Sequence, residues 1–122
     1  MTDFQDKIKA FYIVEAFKES GLTHVCWLPD PETGFLYESI EAEPLLTLVP
    51  VCREAEAMAV AAGLRIGCKE PAVLIQNTGI YESGDSLRGV VADGAFPLGL
   101  EDLGKQQETW QRPSGLRIRQ IR

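Results

Sequence analysis

A chain of 122 residues, 45% hydrophobic and 25% charged, has the composition of one globular domain and excludes disordered, fibrous and two-core architectures. The net charge of −6 is uneven: residues 1–104 hold seven Lys/Arg against seventeen Asp/Glu, and residues 105–122 hold five against one, so the acidic body argues against nucleic acid as a partner. No apolar run approaches the roughly 20 residues that span a bilayer, and the opening Met1-Thr2-Asp3-Phe4-Gln5-Asp6 lacks the basic region of a signal peptide, which together imply a cytoplasmic protein with no membrane partner.

Residues 3–20 read as a helix, because Ala10, Ile13, Val14 and Phe17 follow the i, i+3, i+4, i+7 spacing, with Asp3 as cap and Gly21 as stop. Thr23 to Leu28 is a short β-prone run ended by Pro29, and His24, the single histidine, has a structural reading there. Pro29-Asp30-Pro31-Glu32-Thr33-Gly34 is loop chemistry, followed by a short helix over Phe35 to Glu41. Leu45 to Val51 is a second strand, with Pro50 near its end where a lost hydrogen bond costs least. An Ala-rich helix runs from Arg53 to Ile66 and Gly67 closes it. Pro71 to Gln76 is continuously apolar, as in a strand covered on both faces of a parallel sheet, and Thr78 to about Asp93 is a last helix entered through a glycine turn.

Helix and strand alternate through residue 93, which predicts a parallel α/β sheet of at least three or four strands in a three-layer α/β/α arrangement. Ligands in such sheets sit beyond the carboxyl ends of the strands, which singles out residues 29–34, 51–54 and 76–79. After Phe96-Pro97-Leu98 the pattern fades, so we expect a domain over 1–98 and a polar, basic tail over 99–122 in which periodicity places no strand. The three cysteines at 26, 52 and 68 have no CxxC or paired His spacing, and read as buried free thiols rather than a metal site. Gly84-Asp85-Ser86 and Asp93-Gly94 receive no metal role either.

The segment with the most chemistry is Cys52-Arg53-Glu54-Ala55-Glu56-Ala57-Met58-Ala59-Val60-Ala61-Ala62-Gly63. Glu54 in the first turn of a helix directly after a strand has a fixed place at the ligand edge of the sheet. The same position also favours the helix dipole with no function attached. Glu56, two residues on, faces elsewhere and reads as solvated or salt-bridged. A second segment, Leu74-Ile75-Gln76-Asn77-Thr78-Gly79, puts amides, a hydroxyl and a glycine on the turn after a buried strand. A third, Val25-Cys26-Trp27-Leu28-Pro29-Asp30, ends a strand in a proline turn.

In order and spacing these segments resemble the pyrimidine-binding domain of thiamine-diphosphate-dependent 2-oxoacid decarboxylases. Arg53-Glu54-Ala55-Glu56 and Gln76-Asn77-Thr78-Gly79 are similar to the sulfopyruvate and phosphonopyruvate decarboxylase alpha-subunit branch. Leu64 stands where that family commonly has an aromatic, and Asp30 where it has glycine. The resemblance implies thiamine diphosphate as cofactor, with Glu54 hydrogen-bonded to N1′ of the aminopyrimidine in a mostly apolar pocket. It implies that Gln76, Asn77, Thr78 and Gly79 line the pyrimidine or substrate, and makes Pro29 and Asp30 substrate-side candidates. Magnesium and the diphosphate would be held by a partner, a beta-type subunit with a Gly-Asp-Gly motif, in a homo- or hetero-oligomer that decarboxylates a small anionic 2-oxoacid. Relatives continue with further strand and helix after the position of Leu98, so a truncated, non-catalytic remnant serving as an oligomerisation or binding module is the alternative expectation. An unrelated doubly wound domain with a small-ligand site is a third.

Overall fold

The computed structural model describes residues 4–93, 99–102 and 117–120. The first helix, α1 (Phe4–Glu19), buries Ala10, Ile13, Val14 and Phe17, the four residues its periodicity selects. It ends where Gly21 takes a left-handed φ of 73°. The Gly21 N–H then bonds the Lys18 carbonyl at 2.9 Å and the Leu22 N–H the Phe17 carbonyl at 3.1 Å, the paired bonds of a Schellman end. The expected cap, Asp3, lies outside the described residues.

Strand β1 (His24–Trp27) leads through a 3-10 turn (Gly34–Leu36) and α2 (Tyr37–Glu41) to β2 (Thr47–Pro50). Helix α3 (Glu54–Ile66) returns the chain to β3 (Pro71–Ile75), and β1 pairs in parallel with β2 on one side and β3 on the other. Every residue of β3 is buried, in keeping with its unbroken apolar run. The fold is therefore parallel α/β, as the alternation of elements requires. His24 shares a 2.8 Å hydrogen bond between Nδ1 and the Thr23 hydroxyl at the start of β1, remote from the strand ends that carry ligands.

Side chains alternate across the sheet into two cores. Val25, Trp27 and Leu74 join α1, the 3-10 turn and α2 through Phe17, Leu36 and Ile40. Cys26, Val73 and Ile75 face α3 through Ala57, Met58 and Ala61. Burying a side chain of the size of Phe17 or Met58 contributes about 1.5–3 kcal/mol, so both faces of the central strands hold the layers together. The small Ala57 and Ala61 bring the α3 backbone close to the sheet, which is why an Ala-rich helix serves here.

Several expectations need correction. The helix expected from Thr78 to Asp93 is broken into α4 (Gly79–Glu82), α5 (Gly84–Leu87) and a π-helical stretch over Arg88–Asp93. The first break falls at buried Ser83, whose N–H and hydroxyl both donate to the Gly79 carbonyl, at 3.0 and 2.6 Å, and Gly84 follows. Two further strands, β4 (Gly99–Asp102) and β5 (Arg117–Gln120), extend the sheet to the order β2-β1-β3-β4-β5 in a stretch where periodicity placed none. Both pair in parallel, β4 on β3 and β5 on β4, so partner backbone rather than an apolar pattern of their own selects the strand state.

The cysteines differ as well. Only Cys26 is buried, and burial pushes its thiol up to about 11, whereas Cys52 and Cys68 are exposed. Cys52 lies in the turn after β2. Cys68, and not Gly67, is the left-handed residue at the end of α3, with φ 60°.

Candidate functional site

Parallel register places the carboxyl ends of β1, β2 and β3 side by side, Trp27 opposite both Pro50 and Leu74. The three turns expected to carry chemistry thus converge on one edge. The order β2-β1-β3 also makes the gap between β1 and β3 the place where connections leave to opposite faces, the position at which such sheets bind ligands.

At the end of β1, Asp30 organises its own loop. Its Oδ1 accepts the N–H groups of Glu32 and Thr33 at 2.7 and 3.0 Å, and its Oδ2 accepts the Thr33 hydroxyl at 2.6 Å. The Thr33 oxygen in turn accepts the indole N–H of Trp27 at 2.7 Å, deep in the core. Across the gap, the Gln76 side-chain amide donates to Asp30 Oδ1 at 3.2 Å. Pro29 is exposed at the rim.

At the end of β2, Arg53 is extended (φ −144°, ψ 147°) and begins α3 without a side-chain cap of its own. The turn is capped by two glutamates instead. Glu56, expected to be solvated or salt-bridged, is exposed and accepts the Cys52 N–H at 3.0 Å. Glu82, from α4, accepts the Ala55 N–H at 3.0 Å through Oε2 and the Arg53 guanidinium through Oε1, at 3.1 Å from Nε. Hydrogen bonds from Arg53 first, and then from the Ala55 N–H, hold the Glu82 carboxyl below the usual carboxylate range, and Arg53 is raised in return.

After β3, the Gly79 N–H bonds the Gln76 carbonyl at 2.9 Å and the Ile80 N–H the Asn77 carbonyl at 3.2 Å, so the amide-rich turn feeds directly into α4. Asn77 and Thr78 are exposed, and Asn77 Oδ1 accepts the Thr78 N–H at 2.8 Å. Gly79 itself is buried.

The two segments meet at Glu54. Its half-buried side chain lies across Gly79 so closely that a Cβ on Gly79 would stand 2.5 Å from Glu54 Cγ and 3.0 Å from Oε1. Glycine matters there for the space it leaves to the Glu54 side chain, since its backbone φ is not in the left-handed region. Glu54 and Gly79 are therefore brought into contact, with Gln76, Asn77 and Thr78 on the same turn, while Asp30 is joined to them through Gln76. Glu82 has no role in the sequence reading. The signal that could have found it is its position three residues after Gly79, which puts both on one helix face.

An aminopyrimidine needs one carboxyl and an apolar wall, and this edge of the sheet offers a carboxyl, Glu54, laid on a bare glycine backbone, and apolar Leu28 and Ile80, packed against the α3-side core. Among the described residues there is no group of three or more His, Cys, Asp or Glu that could hold a metal ion. No helix among them is long and apolar enough to cross a membrane.

No family model matches the chain. It is similar to the sulfopyruvate decarboxylase subunit alpha of Methanothermobacter thermautotrophicus, at 33% identity over 93 residues, which is 76% of this chain and 55% of that protein. It is similar also to the sulfopyruvate decarboxylase subunit alpha of Methanocaldococcus jannaschii, at 31% identity over 114 residues, 89% of this chain and 67% of that protein. The chain thus spans between about half and two thirds of the length of these relatives.

Proposed function

Because the chain belongs to the sulfopyruvate decarboxylase subunit alpha family, we propose that it is the pyrimidine-binding, alpha-type subunit of a thiamine-diphosphate-dependent decarboxylase. Its substrate is a small anionic 2-oxoacid of the sulfopyruvate or phosphonopyruvate type. It works in the cytoplasm, in an oligomer with a beta-type subunit whose Gly-Asp-Gly motif holds the diphosphate and magnesium. The observation that carries this reading is the contact of Glu54 with Gly79, which leaves a carboxyl lying on a surface that no side chain but hydrogen can share.

When bound, thiamine diphosphate supplies the stabilisation of the carbanion left by carbon dioxide. The chain's own residues set the conditions for it. Glu54 would hold the aminopyrimidine by a hydrogen bond between its carboxyl and ring nitrogen N1′, a contact that would strengthen as water is excluded. Gly79 keeps the wall beside that carboxyl flat. Gln76, Asn77 and Thr78 orient the pyrimidine or the substrate with amide and hydroxyl groups. Asp30 keeps Gln76 in place, and Pro29 forms the rim on the substrate side.

The test mixes the chain with thiamine diphosphate, magnesium and a beta-type partner, and follows carbon dioxide release from sulfopyruvate. Native protein turns over, and Glu54→Gln loses activity by a factor on the order of 10³, within the range for a positioned acid–base group. If no partner restores turnover and the cofactor does not bind, the enzyme reading fails and the non-catalytic binding or oligomerisation module replaces it.

A further inference from the structure

We propose that Glu82 is a positioning residue for Glu54: a carboxylate supplied by α4 clamps the first turn of α3 and fixes the Glu54-bearing turn against the Gln76–Gly79 turn. The inference rests on the role given to Glu54 above. The first N–H groups of a helix have no partner within it, and Arg53 offers α3 no side-chain cap. Glu82 supplies one from another helix and holds the residues on either side of Glu54: the Arg53 guanidinium and the Ala55 N–H.

The ion pair alone is a weak reason for this arrangement, since the Arg53 side chain is 74% exposed and solvent screens such pairs. Geometry is the stronger one. Glu82 ends the same four-residue helix that Gly79 begins, and the Ser83 hydroxyl ties that helix's far end to the Gly79 carbonyl at 2.6 Å. A helix this short has no stability of its own, so its position, and with it the wall under Glu54, depends on such contacts. The charged groups facing Glu82 from α3 are Arg53 and Glu54; on α5, Asp85 is turned to Arg88 at 2.9 Å.

The experiment compares native chain, Glu82→Gln, Glu82→Ala and Glu54→Gln in the reconstituted mixture, and follows the Ala55 amide of the full chain by NMR across acid pH. In the native chain the Ala55 amide shifts as Glu82 is protonated, below the usual carboxylate range, and this shift vanishes in Glu82→Gln. Glu82→Ala lowers kcat about tenfold with KM for the 2-oxoacid unchanged, as small misplacements of a reacting group do. Glu82→Gln, which keeps an acceptor for the Ala55 N–H, falls between and serves alone if the alanine form does not fold. An Ala55 amide that ignores pH overturns the clamp. So does native kcat in both Glu82 variants when Glu54→Gln has lost activity. If Glu54→Gln is itself fully active, the reading of Glu54 fails, and the Ala55 titration still decides whether the clamp exists.

Discussion

Two carboxylates stand at the same edge of the sheet and are used in opposite ways. Asp30, after β1, spends both oxygens on its own loop and on Gln76, accepting four hydrogen bonds. Glu54, after β2, is laid over the backbone of Gly79. A carboxylate surrounded by donors is a structural fastener, because its charge is already satisfied. One laid against bare backbone has its position set by packing rather than by donors. The difference arises from local sequence: Asp30 heads an Asp-Pro-Glu-Thr loop whose N–H groups fold back onto it, whereas around the start of α3 the Cys52 N–H is met by Glu56 and the Ala55 N–H by Glu82.

That contrast can be broken from either side. Gly79→Ala puts a methyl group against Glu54 Cγ, and activity of the reconstituted enzyme falls on the order of 10²-fold by displacement of the carboxyl. The stability of the same variant, read from denaturant unfolding, changes by less than about 1 kcal/mol, because alanine is the better helix former and the Glu54 side chain can swing away. Asp30→Ala behaves in the opposite sense. It loses about 3 kcal/mol in the same unfolding assay, since the Thr33 hydroxyl and two loop N–H groups lose a charged acceptor.

Smaller effects mark regions remote from both carboxylates. Cys68→Gly stabilises the chain by about 1 kcal/mol, because Cys68 occupies the left-handed position that glycine fills at the end of α1. On acidification the Glu82 contribution has a defined direction. Its folded value is depressed, so the stabilisation is complete above the usual carboxylate value and is lost as pH falls through the folded one. The acid limb of the unfolding midpoint is therefore flatter in Glu82→Gln than in native protein. Thiol alkylation at neutral pH labels Cys52 and Cys68 and leaves Cys26 unmodified until the chain unfolds.

Much of this arrangement was legible in residues alone, for identifiable reasons. The α1 stripe and the apolar β3 run are read from period, because burial on one stripe or on both faces leaves a direct imprint. Glu54 and Gly79 were marked by position after strands, but their contact was not, since nothing local says that two turns 25 residues apart will touch. Glu82 escaped notice because its partner N–H belongs to a different helix. The break at Ser83 falls inside a stretch whose periodicity continues, and β4, with Glu101 and Asp102 in its four residues, takes its state from pairing with β3.

The most direct test compares Glu54→Gln with Asp30→Asn in one reconstituted mixture, reading carbon dioxide release per folded molecule alongside Tm. Glu54→Gln is expected to keep its Tm and lose activity on the order of 10³-fold, and Asp30→Asn to lose Tm while each folded molecule loses far less turnover than Glu54→Gln does. Full activity in Glu54→Gln, with activity lost in a stable Asp30→Asn, would contradict the assignment.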